Sequence, residues 1–112
     1  MAKQINIEYQ GNEYTLEYTR KSIEVLERQG FDISDLDRAP ITTLPMLFRG
    51  AFIAHHRSLY TKDSAMIDKI FEKVPNKDTL LEKLSEMYRE PFEMLLADPE
   101  ESEGNATWGA SW

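Results

Sequence analysis

Leu44-Pro45-Met46-Leu47-Phe48-Arg49-Gly50-Ala51-Phe52-Ile53-Ala54-His55-His56-Arg57-Ser58-Leu59 is the most apolar stretch of the chain. Leu44, Leu47, Phe48, Ala51, His55 and Leu59 recur at steps of three and four, so they share one stripe of a helix. Met46, Phe52 and Ile53 cover its other sides. A helix that is apolar nearly all round sits at the centre of a domain, or is completed by a partner. Leu44, Leu47, Phe48 and Phe52 are therefore candidate core residues and candidate partner contacts at once. Thr42 or Thr43 can cap this helix, and Pro45 is tolerated in a first turn. Pro45, Arg49 and Gly50 interrupt the run from Leu44 to Ala54, which is too short to span a bilayer.

Toward the C-terminus, Thr61 is the expected cap of a helix through Lys73, with Ile67, Ile70, Phe71 and Val74 inward. Pro75 ends it, because the residue before a proline avoids the α region. Asn76 is expected to cap a last helix over about 77–96. There Leu80, Leu81, Leu84, Met87, Tyr88, Leu95 and Leu96 repeat at three and four, and Pro91 should kink or interrupt the helix.

Toward the N-terminus, Thr19 caps a helix to Gln29, with Ile23 and Leu26 inward, Gly30 as its C′ residue and Phe31 folding back onto it. A single helical turn fits around Ser34 to Asp37. Before Thr19, Ile5, Ile7 and Tyr9 alternate with polar residues, as do Tyr14, Leu16 and Tyr18. Period two means strands, at about 4–10 and 13–18, with a tight turn at Gly11-Asn12. A lone hairpin is marginal in water, so its apolar face must pack on helices or on another subunit. The expected fold is α+β: an N-terminal β-hairpin followed by a bundle of about four helices over residues 1–97. Residues 98–112 read as an acidic, disordered tail that ends in Trp108 and Trp112.

The chain has 112 residues, with thirteen Lys+Arg against twenty Asp+Glu for a net charge of −7, and no cysteine. The acidic balance argues against a nucleic-acid surface. Missing cysteine removes disulfides, thiolate metal sites and a cysteine nucleophile. The opening residues hold no apolar run, so no signal peptide is expected. His55 and His56 are adjacent and point about 100° apart on a helix, which does not suit a shared metal. Asp32, Asp35 and Asp37 lack the glycine and distal glutamate of a calcium loop. Glu82, Glu86, Glu90 and Glu93 form a solvated helix face beside Lys83 and Arg89. No serine lies in a nucleophile turn, and the glycines do not cluster into a phosphate loop. No catalytic, cofactor or metal residue is expected, and no cofactor. The Trp108/Trp112 pair either packs back on the domain or is a short linear motif for a partner's groove, since tryptophan is enriched at binding hot spots.

The order hairpin, Leu-x-x-Leu-Phe-x-x-Ala-Phe-x-x-His helix (Leu44 to His55), Thr61, Met66-Ile67-Asp68, then Leu80 to Leu84 resembles the tail assembly chaperones of long-tailed bacteriophages and gene-transfer agents. The likeness runs over about residues 4–97. The whole chain, with its GNATWGASW ending, also looks like a small phage- and prophage-borne family of Gram-positive hosts. The resemblance implies a non-enzymatic chaperone that binds and solubilises the tape-measure protein during tail morphogenesis, with the tail-tube protein as a second candidate partner. It implies a place in the cytoplasm of the bacterial host and absence from the mature virion. It also allows that a longer product is made by translational frameshifting. The alternative is a structural head–tail connector or other small virion protein. A regulatory or enzyme-like domain is the third class, without a supporting motif. No membrane or nucleic-acid partner is expected. Self-association through the unpaired edges of the hairpin is.

Phe48 separates the core reading from the partner reading. If it is core, Phe48→Ala should cost on the order of 3–5 kcal/mol in urea unfolding. A loss below about 1 kcal/mol would mark the face as exposed.

Overall fold

The structure, a computed structural model, describes residues 3–97, 106 and 108–112. It is α+β. Strands β1 (Ile5–Tyr9) and β2 (Asn12–Leu16) form an antiparallel hairpin. Helices α1 (Arg20–Arg28), α2 (Pro40–Gly50), α3 (Arg57–Lys62), α4 (Ser64–Lys73) and α5 (Lys77–Leu96) follow, with a 3-10 turn at Ile33–Leu36. The acidic segment expected to be disordered falls on residues 98–105 and 107, outside the described residues.

The hairpin turn is Gln10-Gly11, one residue earlier than Gly11-Asn12. Both have positive φ, 52° and 81°, as a tight primed turn demands. The register pairs Tyr9 with Asn12, Ile7 with Tyr14 and Ile5 with Leu16. The physical reason is Tyr18. In the later register it would extend the sheet opposite Ile5. Instead it leaves the sheet and is buried, its hydroxyl donating to the Leu47 carbonyl at 2.5 Å. Burial, with the neighbouring Tyr88 phenol adding to it, pushes the Tyr18 phenol well above its ordinary range.

Thr19 caps α1 as its sequence predicts, in a capping box closed with Ser22. At the other end Gly30 N–H donates to Glu27 and Phe31 N–H to Leu26. That is the double bond of a Schellman motif, with Gly30 at φ 87° and Phe31 buried.

The single helix expected from Leu44 to Leu59 is two helices. α2 begins earlier, with Pro40 at its first position, and Pro45 lies in its interior. It ends at Gly50, and residues 51–55 form tight turns. Ala51, Phe52 and Ile53 N–H donate back three residues, to Phe48, Arg49 and Gly50. The Leu47 carbonyl, freed of its helical donor, takes the Tyr18 hydroxyl. The Ala51 carbonyl takes Glu17 N–H at 3.0 Å. The buried end of α2 is thus satisfied by the hairpin strand and its extension, as buried backbone polar groups require. Gly50 sits against α1 at this point, with a Cβ position only 2.3–2.8 Å from three Leu26 side-chain atoms.

Asp63, not Thr61, caps α4, accepting from Met66 N–H at 3.3 Å. Thr61 instead bonds back to the Arg57 carbonyl. Asn76 occupies the N-cap position of α5 in the left-handed region, and its side chain makes no cap bond. Lys77 reaches back to the Val74 carbonyl at 2.8 Å and closes the end of α4. Arg49 and Asp68 join α2 to α4 by two bonds of 2.8 and 2.9 Å. The core is continuous: Leu16 and Tyr18 of the hairpin segment, Leu26 of α1, Leu47, Phe48 and Phe52, Ile67 and Ile70 of α4, Leu84 and Tyr88 of α5. Phe48 meets Phe52 edge to face and Phe71 at a tilt, with centroids 5.2 and 5.0 Å away.

Gly50→Ala should destabilise the fold by about 1–3 kcal/mol through overpacking, although alanine is the better helix former. In a Leu26→Ala background the penalty of Gly50→Ala should largely vanish, which a double-mutant cycle in urea would read.

Candidate functional site

The candidate partner contacts of the apolar stretch divide by burial. Leu47, Phe48 and Phe52 have no exposed surface and Leu44 is half-buried. In the folded chain the first three are core and offer nothing to a partner. They interlock with α1, α4 and α5 because α2 runs through the middle of the helical layer. Trp108 and Trp112 are placed the other way. They are 88% and 101% exposed, so neither packs back on the domain.

The large apolar surface lies instead at the end of α5. Up to Pro91 the helix is anchored. Tyr88 meets Tyr18 at 5.2 Å and Phe31 at 5.7 Å, edge to face, and Pro91 is buried. The helix runs on through Pro91 without interruption. Beyond it Phe92 (39% exposed), Met94 (67%), Leu95 (52%) and Leu96 (83%) are uncovered. Leu95 and Leu96, inward by periodicity, are largely outward in fact: Leu95 only edges a cleft beside α1, and Leu96 is 83% exposed. Sequence periodicity could not show this. The signal is the density of Phe92, Met94, Leu95 and Leu96, which leaves Glu93 as the one polar residue of the terminal turn.

Clefts lie on each side of this helix end. One of about 200 Å³ is lined by Arg20, Ile23, Glu24 and Glu27 of α1 and by Pro91, Phe92 and Leu95. A wider one of about 550 Å³ lies between the 3-10 turn and α5, with Ile33, Leu36, Tyr88 and Phe92 in its wall. Burial, helped by the charges of Glu27 and Asp32, pushes the Tyr88 phenol up to about 12, so it stays a neutral donor. The rim is charged and the floor apolar, as in a surface that takes an amphipathic partner. From these exposures the bare apolar area on α5 is on the order of 400 Å², the size of the largest apolar patch on a typical monomer, which is often functional.

The two histidines do different work. His55 Nε2 lies 2.6 Å from a Glu17 carboxylate oxygen. Burial pushes the Glu17 carboxyl up, but hydrogen bonds from His55 and Gln4, with the His55 charge, outweigh it and hold it below its ordinary value. His56 Nε2 accepts the Thr15 backbone N–H at 2.9 Å, which requires the neutral Nδ1–H tautomer. Burial, then the neighbouring His55 charge, lowers the His56 pKa. Both rings pin β2 to the interruption after α2. Glu17 is thirty-eight residues from His55 in sequence, so no local spacing announced the pair. Among the described residues no group of three or more acids or histidines could hold a metal ion. No helix there is long and apolar enough to cross a membrane.

A family model described as a domain of unknown function, DUF5055, matches residues 1–112. The chain belongs to that family. No curated protein and no solved structure matches it. For this DUF5055 chain the site must therefore be argued from its own surface.

Protonating His56 would set an N–H against the Thr15 N–H. A folded pKa below the unfolded value of about 6.5 means the unfolded state binds more protons. The His56 contribution to stability is therefore full above about pH 6.5 and is lost as pH falls from there through the folded value. The Glu17 contribution, held above the ordinary carboxyl value, is lost at lower pH, through its lowered folded pKa. Urea unfolding should show stability rising with pH below about 6.5, by at most about 1.4 kcal/mol per unit for one proton. His56→Ala should remove that segment of the slope.

Proposed function

We propose that this chain is a non-enzymatic assembly chaperone that binds the tape-measure protein of a phage tail and keeps it soluble during tail morphogenesis in the cytoplasm of the bacterial host. The observation that carries the reading is the bare end of α5, Phe92 to Leu96, beside a charged-rim cleft on an acidic chain. A tape-measure chain is long, helical and aggregation-prone. An apolar helix end flanked by grooves can cover one turn or two of such a helix, and net charge keeps the complex dispersed. The resemblance in order of elements supports the same reading. Burying roughly 400 Å² of apolar surface gives on the order of 10 kcal/mol gross, close to the cost of lost rotational and translational freedom. Affinity from this patch alone is then modest, which suits a chaperone that must let go when tail-tube subunits arrive. Trp108 and Trp112, uncovered downstream, add contact area.

Co-expression with the tape-measure protein tests it. The chain should co-purify with the tape-measure protein and be missing from finished particles. Leu95→Asp, on an exposed side chain, should keep the melting temperature within about 2 °C and lose most of the co-purified partner. Recovery of the chain in finished virions would favour the head–tail connector and sink the chaperone reading. Deleting residues 98–112 should leave the melting temperature unchanged and weaken capture. A drop of several degrees would return the tryptophans to the fold.

A further inference from the structure

The hairpin keeps one edge open along its length. On the β2 side the outward amides are covered away from the turn, where Thr15 N–H goes to His56 and Glu17 N–H, just past the strand, to the Ala51 carbonyl; only Glu13, next to the turn, stays outward without a bond among the described residues. The register places Asn6 opposite Thr15 and Glu8 opposite Glu13, so Asn6 and Glu8 turn their backbone N–H and C=O groups away from β2. Both residues are exposed, and among the described residues no hydrogen bond reaches those groups. Of the usual protections of an edge, the strand Ile-Asn-Ile-Glu-Tyr carries a single charge, Glu8, and no proline, lysine or bulge.

We propose that β1 is a self-association edge, pairing antiparallel with β1 of a second copy about a twofold axis at Ile7, so that two hairpins make one four-stranded sheet. The occupant follows from complementarity. In this register Ile7 faces Ile7 of the second copy, Ile5 faces Tyr9, and Asn6 faces Glu8, so the full strand is used. The outward groups of Asn6 and Glu8 form the two narrow pairs, each exchanging two N–H···O bonds. The apolar residues stay on one face of the joined sheet and the polar ones on the other, continuing the hairpin's own sidedness. The Asn6 side-chain oxygen already accepts from Thr15 Oγ1 at 3.1 Å, so its amide N–H₂ is the group left for the facing Glu8 carboxylate. Shifting the axis to Glu8 would set two carboxylates directly opposite each other, which is unfavourable.

Beside the edge, a groove of about 260 Å³ runs between β1 and the last turn of α4, with Ile7, Tyr9, Ile70 and Val74 in its walls. It gives apolar space on the face where the second copy's Ile5 and Ile7 would point. The twofold pairing consumes β1 of both copies and closes as a dimer. Of the two open edges expected of the hairpin, the β2 edge is covered at Thr15 and Glu17 and the β1 edge is the one left open along its length among the described residues. This inference does not use the end of α5 and stands apart from the chaperone reading.

Sedimentation velocity of the full chain over a range of concentrations tests it. A dimer is expected at the upper end. Asn6→Pro removes an outward N–H and the exposed Thr15–Asn6 side-chain bond but no β1–β2 backbone bond, so it should give a monomer with a melting temperature within about 2 °C. Asn6→Lys places a cation opposite Glu8 at two positions and should tighten the dimer several-fold. Asn6→Asp should weaken it by a similar factor. The chain has no cysteine, so Ile7→Cys should cross-link across the axis on oxidation and Asn6→Cys should not. A monomer at every concentration overturns the proposal. So does a dimer that survives Asn6→Pro, or one that Asn6→Lys and Asn6→Asp weaken alike. A dimer lost on deleting residues 98–112 but kept in Asn6→Pro would put the interface in the tail and also overturn it.

Discussion

The buried end of α2 is the constraint on which the rest depends. A helix that stops inside a core leaves carbonyls with no donor, and each must be satisfied or the fold loses on the order of 1–3 kcal/mol per group. Here the hairpin supplies the donors. The Tyr18 hydroxyl takes the Leu47 carbonyl and the Glu17 amide takes the Ala51 carbonyl. A third hairpin donor, Thr15 N–H, reaches His56 Nε2 beyond the end of α2. A two-stranded ribbon that would be marginal alone thereby becomes an integral part of a helical domain. The turn position, the departure of Tyr18 from the sheet and the split of the long apolar stretch into α2 and α3 all follow from it.

The same arrangement decides which surfaces remain. Covering the outer edge of β2 at Thr15 and Glu17 leaves β1 as the more open edge of the hairpin among the described residues. Seating α1 against Gly50 brings Leu26 deep into the core. It also ends the lateral support of α5 at about Pro91, since α1 is nine residues long and α5 is twenty. The apolar side chains beyond that point are only partly covered by their own chain. A long helix docked against a short one leaves a protruding end, and in this chain that end is Phe92 to Leu96.

Much of the architecture was legible because it rests on local rules. Thr19 with Ser22 three residues on, then Gly30 and Phe31, bracket α1 by capping chemistry that needs no tertiary information. Pro75 marks the end of α4 and the start of α5 in the same way. Alternation in Ile5–Tyr9 and Tyr14–Tyr18 reveals strands but leaves the register open. Shifting the turn from Gly11-Asn12 to Gln10-Gly11 keeps apolar residues opposite apolar ones in both cases. The surface was less legible. Periodicity says that Leu95 and Phe48 belong to apolar stripes and nothing about which stripe finds a neighbour.

The sequence by itself determined the class of fold, the positions of most elements, and the acidic, cysteine-free composition that frames any partner. These follow from φ preferences, capping and hydrophobic period, all of which act over a few residues. Only the tertiary structure decided that the apolar stretch breaks after Gly50, that Glu17 meets His55 and Thr15 meets His56, and that the uncovered apolar surface is at the end of α5. Those outcomes depend on how long each helix is relative to the one it packs on, and on which distant donor reaches a freed carbonyl. Neither quantity is written in any local pattern.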